Sequence, residues 1–521
     1  MPSLTDRADR HVIIDRRPGR YLSFPDVGLD AAGNLVVVYR EAEEHVAEQA
    51  AKLLVCRSAD AGRTWSAPEI LNDHHGHCPR LTRLPNGALV ILDDATHALY
   101  RADAPGEAFV RTLYAGPVMP LPDHLIVLAP DRWLTAGHSH RGSFPHPTTR
   151  QPTSEELAFL TTDAGKTFAP LSILAYDPFL VLCEASMVRL PDGRILALLR
   201  ENSFVYEPMY AVLSADDGNT WSLPRPTPLI GHRPSLGLTR TGQLLVTYRN
   251  VGPDPGTAAW LGDLDTLLTD FAVAGRAPEP NELRLTDAGL VINNPAGATH
   301  GARFALRPLT FPERARARLT ATVRVDAAEG QACGIRFGGR WWRLFPDRLE
   351  VEDRAPLAWE PGRFHDLVLT YCRGLVTLSV DGRRRARLRV DARAADTRPI
   401  LFGTPSMTTE NAGCHVWRAL TLETREPRYE RHYLWSWTHR DGLPDAWSRA
   451  QVLELDNDRF AAFGDFGYSG WVELPDGRFF CAYHHGDGAA ADYERNRSSH
   501  IRGVWFTAAD FKSSVRLALR T

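Results

Sequence analysis

The sequence of 521 residues predicts an all-β protein, a six-bladed β-propeller with a β-sandwich inserted into it. Three observations indicate this fold. A hairpin pattern occurs about six times, a short turn motif lies between several of the hairpins, and one long segment lacks both. The first four hairpins begin at spacings of roughly fifty residues, which is the length of a propeller blade.

The clearest hairpin covers residues 468–485. Strand-forming apolar residues lie on both sides of a Pro-Asp-Gly turn at residues 475–477. The first and last residues of such a hairpin are neighbours, so Tyr468 and His484 are expected to meet at its open end. The other copies cover residues 24–40, 78–94, 184–200 and 233–249, with a weaker copy at residues 123–138.

Polar residues mark the open ends of these hairpins. If the hairpins form the inner strands of a propeller, their open ends crowd together at one mouth, and the residues there are candidates for function. These residues are Arg40, Asp94, Asp123, His138, Glu184, Arg200, Arg233, Arg249, Tyr468 and His484.

A second repeat has the pattern Ser/Thr-x-Asp-x-Gly-x-Thr-aromatic. It occurs at residues 58–65, 161–168 and 214–221. The pattern predicts a tight turn, in which the Asp carboxylate accepts backbone N–H bonds and glycine relaxes the limits on the backbone angles. The aromatic residue is expected to fill the gap between blades, on the face opposite the mouth.

Residues 271–427 lack both repeats and are predicted to form the inserted domain, which leaves residues 1–270 and 428–521 for the propeller. Strands are expected at residues 317–325, 334–337, 341–345, 366–371 and 375–380. The last two, ending in Asp381-Gly382, resemble a strand pair of the concanavalin-like (laminin-G-like) jelly roll. The blade pattern is expected to resume at residues 433–437. Such modules bind carbohydrate or serve only in packing, and the segment itself does not choose between these roles.

The bulk composition describes a soluble globular protein, with 44% hydrophobic and 24% charged residues. A net charge of −3 gives no electrostatic reason to expect nucleic acid or an anionic membrane as partner. The first residues lack an apolar signal core, and seven cysteines, an odd number, favour buried free thiols over a disulfide framework. We therefore predict a cytoplasmic protein, although a secreted chain without its leader would have the same features.

A metal site is suggested by one run only, Asp-His-His-Gly-His-Cys at residues 73–78. The residue types are metal ligands, but the spacing matches no recognised site, and the run opens the second hairpin. We interpret it as a polar rim of the mouth and predict neither a metal nor another cofactor.

The turn motifs (Asp boxes), the six hairpins and the Tyr-Ser…Leu-Pro-Asp-Gly stretch together resemble the sialidase superfamily of six-bladed propellers. The resemblance covers about residues 10–270 and 430–515. It implies that Tyr468, which opens the last blade, is a nucleophile and that Glu184, which opens the fourth hairpin, accepts its proton. An anomeric carbon that bears a carboxylate repels an anionic nucleophile, whereas a neutral phenol avoids this repulsion but needs an adjacent base.

Family sialidases hold the substrate carboxylate with three arginines, and here the match is partial. Arg200 takes the place of one of them, and Arg40 lies near the family's additional first-blade arginine. Ser23 stands where the family has another arginine, with Arg20 three residues away, and residues 255–264 contain none. The substitutes in the fifth hairpin are Arg233 and Arg249.

Two further positions depart from the family. His484 stands where a glutamate usually orients the first arginine, and the joint loss of this pair indicates a changed substrate. The loop after Arg40, where the family has an acid/base aspartate, offers Glu43, Glu44 and His45. Glu44 or His45 is the candidate proton donor, and a solvated charge run is the alternative.

These features predict a sialidase-like exo-glycosidase that hydrolyses a glycoside of an acidic sugar with retention. A carbohydrate is thus the expected partner, bound by Arg40, Arg200, Arg233, Arg249, Asp94, His138 and His484. One alternative is a uronate-directed lyase or hydrolase that uses Tyr468 with His138 or His484. A second alternative is a glycan-binding propeller without catalysis.

Overall fold

The computed structural model describes residues 2–46, 51–94, 96–145, 152–177, 180–202, 206–275, 283–297, 301–405, 411–426 and 431–511. Almost all of the regular structure is β-strand. Two short α-helices are present, α1 (Leu264–Leu267) and α2 (Ala446–Gln451), and 3₁₀ turns lie at Ala8–Arg10, Ala395–Thr397, His439–Asp441 and Ala508–Phe511.

Six four-stranded antiparallel sheets form the blades of the predicted propeller. After strand β1 (His11–Asp15), the first four blades follow one another along the chain. The first blade contains β2 (Tyr21–Leu29), β3 (Leu35–Ala42), β4 (Lys52–Ser58) and β5 (Glu69–Asn72), and the second contains β6 (Arg80–Arg83), β7 (Leu89–Asp93), β8 (Ala98–Ala102) and β9 (Val110–Leu113). The third contains β10 (Ile126–Ala129), β11 (Arg132–Pro145), β12 (Pro152–Thr161) and β13 (Ala169–Tyr176), and the fourth contains β14 (Leu182–Arg189), β15 (Ile195–Glu201), β16 (Tyr210–Ser214) and β17 (Arg225–Pro226).

The fifth blade is interrupted. It begins with β18 (Gly231–Leu238), β19 (Leu244–Asn250) and β20 (Gly256–Gly262), and two larger sheets then intervene before its fourth strand. The strands of these sheets are β21 (Ala274–Gly275), β22 (Leu283–Thr286), β23 (Gly289–Asn294), β24 (Arg303–Leu306), β25 (Arg316–Ala328), β26 (Gly334–Phe337), β27 (Arg340–Leu344), β28 (Arg348–Val351), β29 (Leu357–Ala358), β30 (His365–Cys372), β31 (Leu375–Val380), β32 (Arg383–Arg389), β33 (Ile400–Gly403), β34 (Gly413–Glu426) and β35 (Arg431–Thr438).

The fourth strand of the fifth blade is β36 (Val452–Asn457), which pairs with β20. The sixth blade contains β37 (Ser469–Glu473), β38 (Phe479–His485) and β39 (His500–Phe506). Its outer strand is β1, from the beginning of the chain, which pairs with β39. The two ends of the propeller sequence therefore meet in one sheet and close the ring.

Burial distinguishes the strands of the two parts. All eight residues of β3 are buried, because a blade packs on both faces against its neighbours. In β25 buried and exposed residues alternate, as expected for a sheet with one face on a core and the other in water. The two larger sheets are consistent with the predicted β-sandwich, and their shared core includes Leu319, Trp342, Leu369 and Trp417.

The predicted return to the blade pattern at residues 433–437 is wrong. Strand β35 contains these residues and pairs with β34 of the eight-stranded sheet, with Trp437 opposite Leu420. The sandwich thus extends past residue 427, which itself lies outside the described residues, to Thr438. Strands of the propeller and of the sandwich show the same alternation of apolar residues, so only the pairing partner shows which domain β35 belongs to.

The turn motif has the predicted geometry. Asp60 accepts the Thr64 backbone N–H at 2.9 Å and its hydroxyl at 2.6 Å, and the motifs around Asp163 and Asp216 repeat both bonds. The motif follows the third strand of a blade, at the end away from the mouth. Trp65 packs against Phe480 of the adjacent blade, with ring centroids 5.8 Å apart.

Successive inner strands are tied together around the propeller axis. Asp26 on β2 accepts the backbone N–H of Leu81 on β6 at 2.7 Å. At Gly470 a Cβ atom would lie 2.0 Å from Asp26 Oδ1, so only glycine lets β37 approach from the other side. The further links join Thr82 to Leu125, Asp123 to Met187, Ser186 to Leu236 and Ser235 to Trp471.

The cysteines and the helices can be compared with the predictions from composition. All seven cysteines are free, but Cys372 is exposed rather than buried because it lies on the outward face of β30. Within the described ranges, no helix is long and apolar enough to cross a membrane.

The link around Asp26 generates a pH prediction. His124 lies 2.8 Å from Asp26 and 3.3 Å from Asp123. Although burial alone would lower the pKa of His124, these carboxylates raise it from 6.5 to about 9. This stabilisation is complete below pH 6.5 and is lost as the pH rises through 9, and the shift corresponds to roughly 3 kcal/mol. We expect urea unfolding at pH 6, 7.5 and 9.5 to show that loss.

The loss should disappear in the variant His124→Gln and persist in His74→Gln, whose side chain is exposed. An equal alkaline loss in His124→Gln and the wild type would contradict the assignment.

Candidate active site at the mouth of the propeller

Tyr468 stands at the mouth, directly before strand β37. Its backbone oxygen accepts the N–H of His484 at 3.2 Å, and the two rings lie 5.6 Å apart, as predicted for the open end of the hairpin. Gly467, at φ +86°, passes so close to Arg249 that a Cβ atom would lie 2.7 Å from its side chain. This close approach sets Tyr468 against the fifth blade.

The hydroxyl of Tyr468 is surrounded by three charged side chains. Arg200 donates to it from Nη1 at 2.7 Å, and Arg249 donates from Nη2 at 3.3 Å. The hydroxyl in turn donates to Glu184, whose carboxylate oxygens lie 3.3 and 3.4 Å away. Arg200 Nη1 also donates to Glu184 at 2.7 Å. Four of the residues that the sequence placed at the mouth therefore make one buried cluster.

The electrostatics of this cluster set the protonation states. Burial raises the pKa of Glu184, but the charges of Arg200 and Arg233 outweigh it and hold the pKa at about 2. Burial also raises the pKa of Tyr468, against the opposing effect of Arg200 and Arg249. At neutral pH the site therefore contains a neutral phenol beside an ionised carboxylate. Such a pair can move the phenolic proton to the carboxylate while the two guanidinium groups stabilise the oxygen left behind.

A repeated backbone feature aims side chains into the mouth. Phe24, Glu184 and Arg233 occupy the same position in three hairpins and adopt φ values of +55°, +48° and +47°. Each lies at a register shift in the first strand of its blade. A β-bulge redirects a side chain, and a positive φ costs a residue other than glycine about 1–3 kcal/mol. Strain of this kind clusters at catalytic and ligand-binding sites, so these three positions are candidates for function.

Phe24 is a residue of the mouth that the sequence analysis did not select. Its ring lies 5.0 Å from Tyr468, 5.1 Å from His77 and 5.6 Å from His484. The space that it lines with Cys78, Arg233 and Tyr468 is too small to admit a water molecule. Phe24 therefore packs over Tyr468. Its register, identical to that of Glu184, was the available signal.

A larger cavity of about 260 Å³ adjoins this cluster. It is lined by Glu201, Tyr206, Glu207, His232, Val251 and Phe463. Arg249 connects the two, because its guanidinium lies 4.7 Å from the ring centre of Phe463 and donates to His232 at 3.2 Å. Burial and the charge of Glu201 raise the pKa of Glu207, which lies 3.9 Å from Arg398 of the sandwich.

The side chains of three other predicted mouth residues are hydrogen-bonded to groups within the protein. Arg40 donates to the backbone oxygen of His45 at 2.9 Å, and Arg233 donates to the backbone oxygens of Leu121 and Pro122. Asp94 accepts from the Cys78 backbone at 3.0 Å and contacts His77 at 2.8 Å. The charge of Arg233 nevertheless lowers the pKa of Glu184. Ser23 is buried opposite Arg40 in the strand register.

The histidines of the mouth are mostly neutral. His484 contacts the Gly464 oxygen through Nε2 at 3.0 Å, and burial lowers its pKa to about 3. His45 contacts the hydroxyl of Tyr21 at 2.7 Å, and burial together with Arg249 and Arg40 lowers its pKa to about 4. The adjacent Glu44 is half-buried. His138 is buried, and its charge favours the ionised form of Glu184.

A second carboxyl group beside Glu184 was also missed. Glu156 lies opposite His138 in the strand register and accepts the Ala185 backbone N–H at 3.0 Å. Burial and the charge of Glu184 raise its pKa to about 8, so it is mostly neutral at pH 7. No sequence signal marked it, because it lies on the third strand of its blade, outside the hairpins that were compared.

The histidine-rich run at residues 73–78 contributes His77 to the wall of the mouth, beside Phe24. Across the part of the chain that the structure describes, no group of three or more His, Cys, Asp or Glu residues is arranged to hold a metal ion.

Residues 8–255, just under half of the chain, match the family described as BNR repeat-like domain. No curated protein matches the sequence. Among solved structures, a Dyadobacter fermentans protein described as of unknown function is 13% identical, with a TM-score of 0.46 and coverage of 95% of this chain and 97% of its own. Trypanosoma rangeli sialidase in complex with 2,3-difluoro-KDN is 12% identical, with a TM-score of 0.36 and coverage of 81% and 96%. A sucrose-6-phosphate hydrolase of Lactobacillus gasseri is 11% identical, with a TM-score of 0.33 and coverage of 76% and 93%.

The family match and the six-bladed architecture support the class that the sequence predicted, a sialidase-like β-propeller. Propellers of this class have a glycosidase-like fold. A fold does not determine a substrate, so the substrate is inferred from the residues of the site.

The buried pair of Arg200 and Glu184 generates a stability prediction. In Arg200→Met the Glu184 carboxylate loses its nearest partner, and we expect a loss of about 3–5 kcal/mol in the free energy of unfolding. The double variant Arg200→Met/Glu184→Gln should recover most of that loss, because it buries no uncompensated charge. Urea unfolding at pH 7 measures both.

The control is Arg194→Met, which breaks an exposed ion pair with Asp192 and should cost less than about 1 kcal/mol. If the loss in Arg200→Met/Glu184→Gln equals the sum of the losses in Arg200→Met alone and Glu184→Gln alone, the two residues are not coupled and the assignment fails.

Proposed function

We propose that this protein is a retaining exo-glycosidase that hydrolyses a glycoside of an acidic sugar, sialic acid or a related ulosonic or uronic acid. The observation that carries the proposal is the contact of the Tyr468 hydroxyl with Glu184, Arg200 and Arg249. A phenol held between a carboxylate and two guanidinium groups has no role in packing that a phenylalanine would not fill.

In the proposed reaction the Tyr468 oxygen bonds to the anomeric carbon as the glycosidic C–O bond breaks, the phenolic proton passes to Glu184, and the leaving-group oxygen takes a proton from the acid. Glu184 is ionised at neutral pH, and its carboxylate oxygens lie 3.3 and 3.4 Å from the phenol, within reach of the proton. A neutral nucleophile suits a sugar whose carboxylate would repel an anionic one, which is the exception that sialidases make to the two-carboxylate mechanism. Water then releases the sugar from the covalent intermediate, and the configuration is retained.

The sugar carboxylate requires cationic partners. Arg249 is the best placed, because its guanidinium lies 4.4 Å from the ring centre of Tyr468 and also borders the cavity of about 260 Å³. Arg200 is the second. Arg40 and Arg233 are engaged with backbone oxygens and contribute through their charge. Together with Ser23 and His484, this arrangement favours an acidic sugar other than an ordinary sialoside.

Substrate access requires a movement at the mouth. The space in front of Tyr468 has no room even for a water molecule, whereas ordinary ligand pockets measure roughly 300–1,000 Å³. Phe24 is the side chain that covers it, so we propose that the Phe24 ring turns aside when the sugar enters.

The leaving group needs a proton donor, and the loop after β3 supplies the candidates. His45 is neutral at pH 7 because burial and the nearby arginines lower its pKa to about 4, which makes it a poor acid there. His45 is also held in place by Tyr21 and Arg40, so we propose it as a residue that positions the loop and the adjacent half-buried Glu44 as the donor.

The first functional prediction concerns the nucleophile. We expect the wild type to release the fluorophore from an aryl glycoside of an acidic sugar, and Tyr468→Phe to lose more than about 1,000-fold in kcat/KM. Glu184→Gln should lose a similar amount, whereas Tyr176→Phe, on an exposed part of β13, should match the wild type. The panel contains α-sialosides, ulosonides and uronides, and proton NMR of the first product reports its configuration.

Other outcomes identify the alternatives. An unsaturated product that still requires Tyr468 would replace the hydrolase with the uronate-directed lyase. Saturable binding of the panel without any turnover by folded wild type would leave the non-catalytic glycan-binding propeller.

The second functional prediction concerns the proton donor. Glu44→Gln should slow alkyl glycosides, which have poor leaving groups, by roughly 100- to 10,000-fold, and slow activated aryl glycosides much less. His45→Asn should slow both substrates by similar factors, because its effect is on position. Steady-state kinetics on the matched pair of substrates separates these cases. An equal effect of Glu44→Gln on both substrates would remove Glu44 from the proposal.

A further inference from the structure

The inserted segment carries a charge of opposite sign to the whole protein. Residues 271–427 contain 24 arginines, no lysine and 18 acidic residues, whereas the complete chain has a net charge of −3. The whole chain has only three lysines, so its basic side chains are almost all guanidinium groups, which are suited to bidentate recognition of planar or tetrahedral anions.

Basic side chains line up across three strands at one end of the eight-stranded sheet. Arg316 on β25 is directly opposite Arg425 on β34, and Arg425 is directly opposite His432 on β35. Directly opposite residues share a face, and all three side chains are exposed. Neighbouring strands are about 4.8 Å apart, and like charges at such positions destabilise a sheet. The arrangement therefore works against stability.

A cavity of about 680 Å³ lies over this row. It is lined by Glu313, Arg314, Arg316, Arg373, Arg425 and His432. Its volume falls within the range of ordinary small-molecule pockets, so it offers room for a ligand of several rings rather than a single ion.

The positive charge in this cavity is only partly neutralised. Glu313, its one acidic residue, is paired with Arg393 at 2.8 Å, and Arg425 contacts Glu423 at 2.8 Å. Within the described ranges Arg316 and Arg373 form no ion pair, and Arg314 packs over the ring of Phe311 at 5.7 Å. The cavity therefore presents excess positive charge to whatever enters it.

We propose that this arginine cavity binds an anionic oligosaccharide, one that carries carboxylate or sulfate groups. The spacing of the basic residues across strands matches a ligand with several anionic groups along a chain, and guanidinium groups bind both kinds of anion bidentately. The choice of a glycan over another polyanion rests on the function proposed for the mouth. The sandwich would then hold an acidic glycan by its interior while the propeller acts on its end.

The test measures binding in the variant Tyr468→Phe, so that turnover cannot consume the ligand. Fluorescently labelled tetrasaccharides, one carboxylated (oligogalacturonate), one sulfated (heparin-derived) and one neutral (maltotetraose), are titrated at low salt and at 0.3 M NaCl. We expect the carboxylated or the sulfated tetrasaccharide to bind and to weaken with salt, and the neutral one not to bind.

Adding Arg316→Ala and Arg425→Ala should weaken binding of the anionic tetrasaccharide at least tenfold. Arg354→Ala removes one positive charge, against two in the test variant, from an exposed turn of the other sheet and should change binding less than twofold. Because the substitutions remove opposed like charges, the unfolding temperature of Arg316→Ala/Arg425→Ala should equal or exceed that of its parent.

Absence of binding by both anionic tetrasaccharides, or an equal effect of Arg354→Ala, would overturn the proposal. So would tight binding of a single-stranded oligonucleotide or of phosphatidylglycerol vesicles through Arg316 and Arg425 while neither glycan binds. Hydrolysis of small aryl glycosides, which do not reach the sandwich, should be unchanged in the wild-type background by Arg316→Ala/Arg425→Ala. Failure of the cavity and failure of the mouth are therefore separate results.

Discussion

Closure of the ring around Asp26 is the constraint on which the rest of the structure depends. This carboxylate binds the backbone of the second blade, contacts His124 of the third and lies against Gly470 of the sixth. Strand β1 completes the same closure at the rim. The site at the mouth depends on closure of the ring, because its residues come from different blades. At the axis Asp26 and Asp123 each accept a backbone N–H of another blade, so the inner strands are joined directly to one another.

The closed ring allows the mouth to contain an arrangement that would be unfavourable elsewhere. Glu184, Arg200 and Arg249 are buried together, and the backbone at Glu184 is strained. Burying ionised groups gains little stability over an apolar core, and positive φ values have a cost. Such features persist where the surrounding structure imposes them, and they are typical of a site that has been organised for chemistry. The neutral phenol of Tyr468, set against an ionised base, is the chemical result.

The sandwich contacts the propeller beside the mouth. Arg398 of the sandwich reaches Glu207 at the cavity beside Arg249, which connects the inserted domain to the mouth. The arginine row on the outer face is a separate feature, and it opposes the stability of its own sheet. Both the mouth and this row place positive charge where a ligand would lie, although the protein as a whole is slightly acidic. An anionic ligand is the simplest common explanation.

The sequence by itself determined the propeller, its six hairpins and the polarity of the mouth, whereas the pairing of Tyr468 with Glu184 was implied only by the resemblance to sialidases. The first three follow from local patterns, since turn residues and alternation fix a hairpin, and its register fixes what lies at the open end. Tertiary structure decided the rest. It assigned β35 to the sandwich, because two strands with the same alternation differ only in their distant partner. It sent Arg40 and Arg233 to backbone oxygens, brought Phe24 over Tyr468 and placed Glu156 behind Glu184. These outcomes depend on which buried groups reach one another across blades, and no pattern within one blade contains that information.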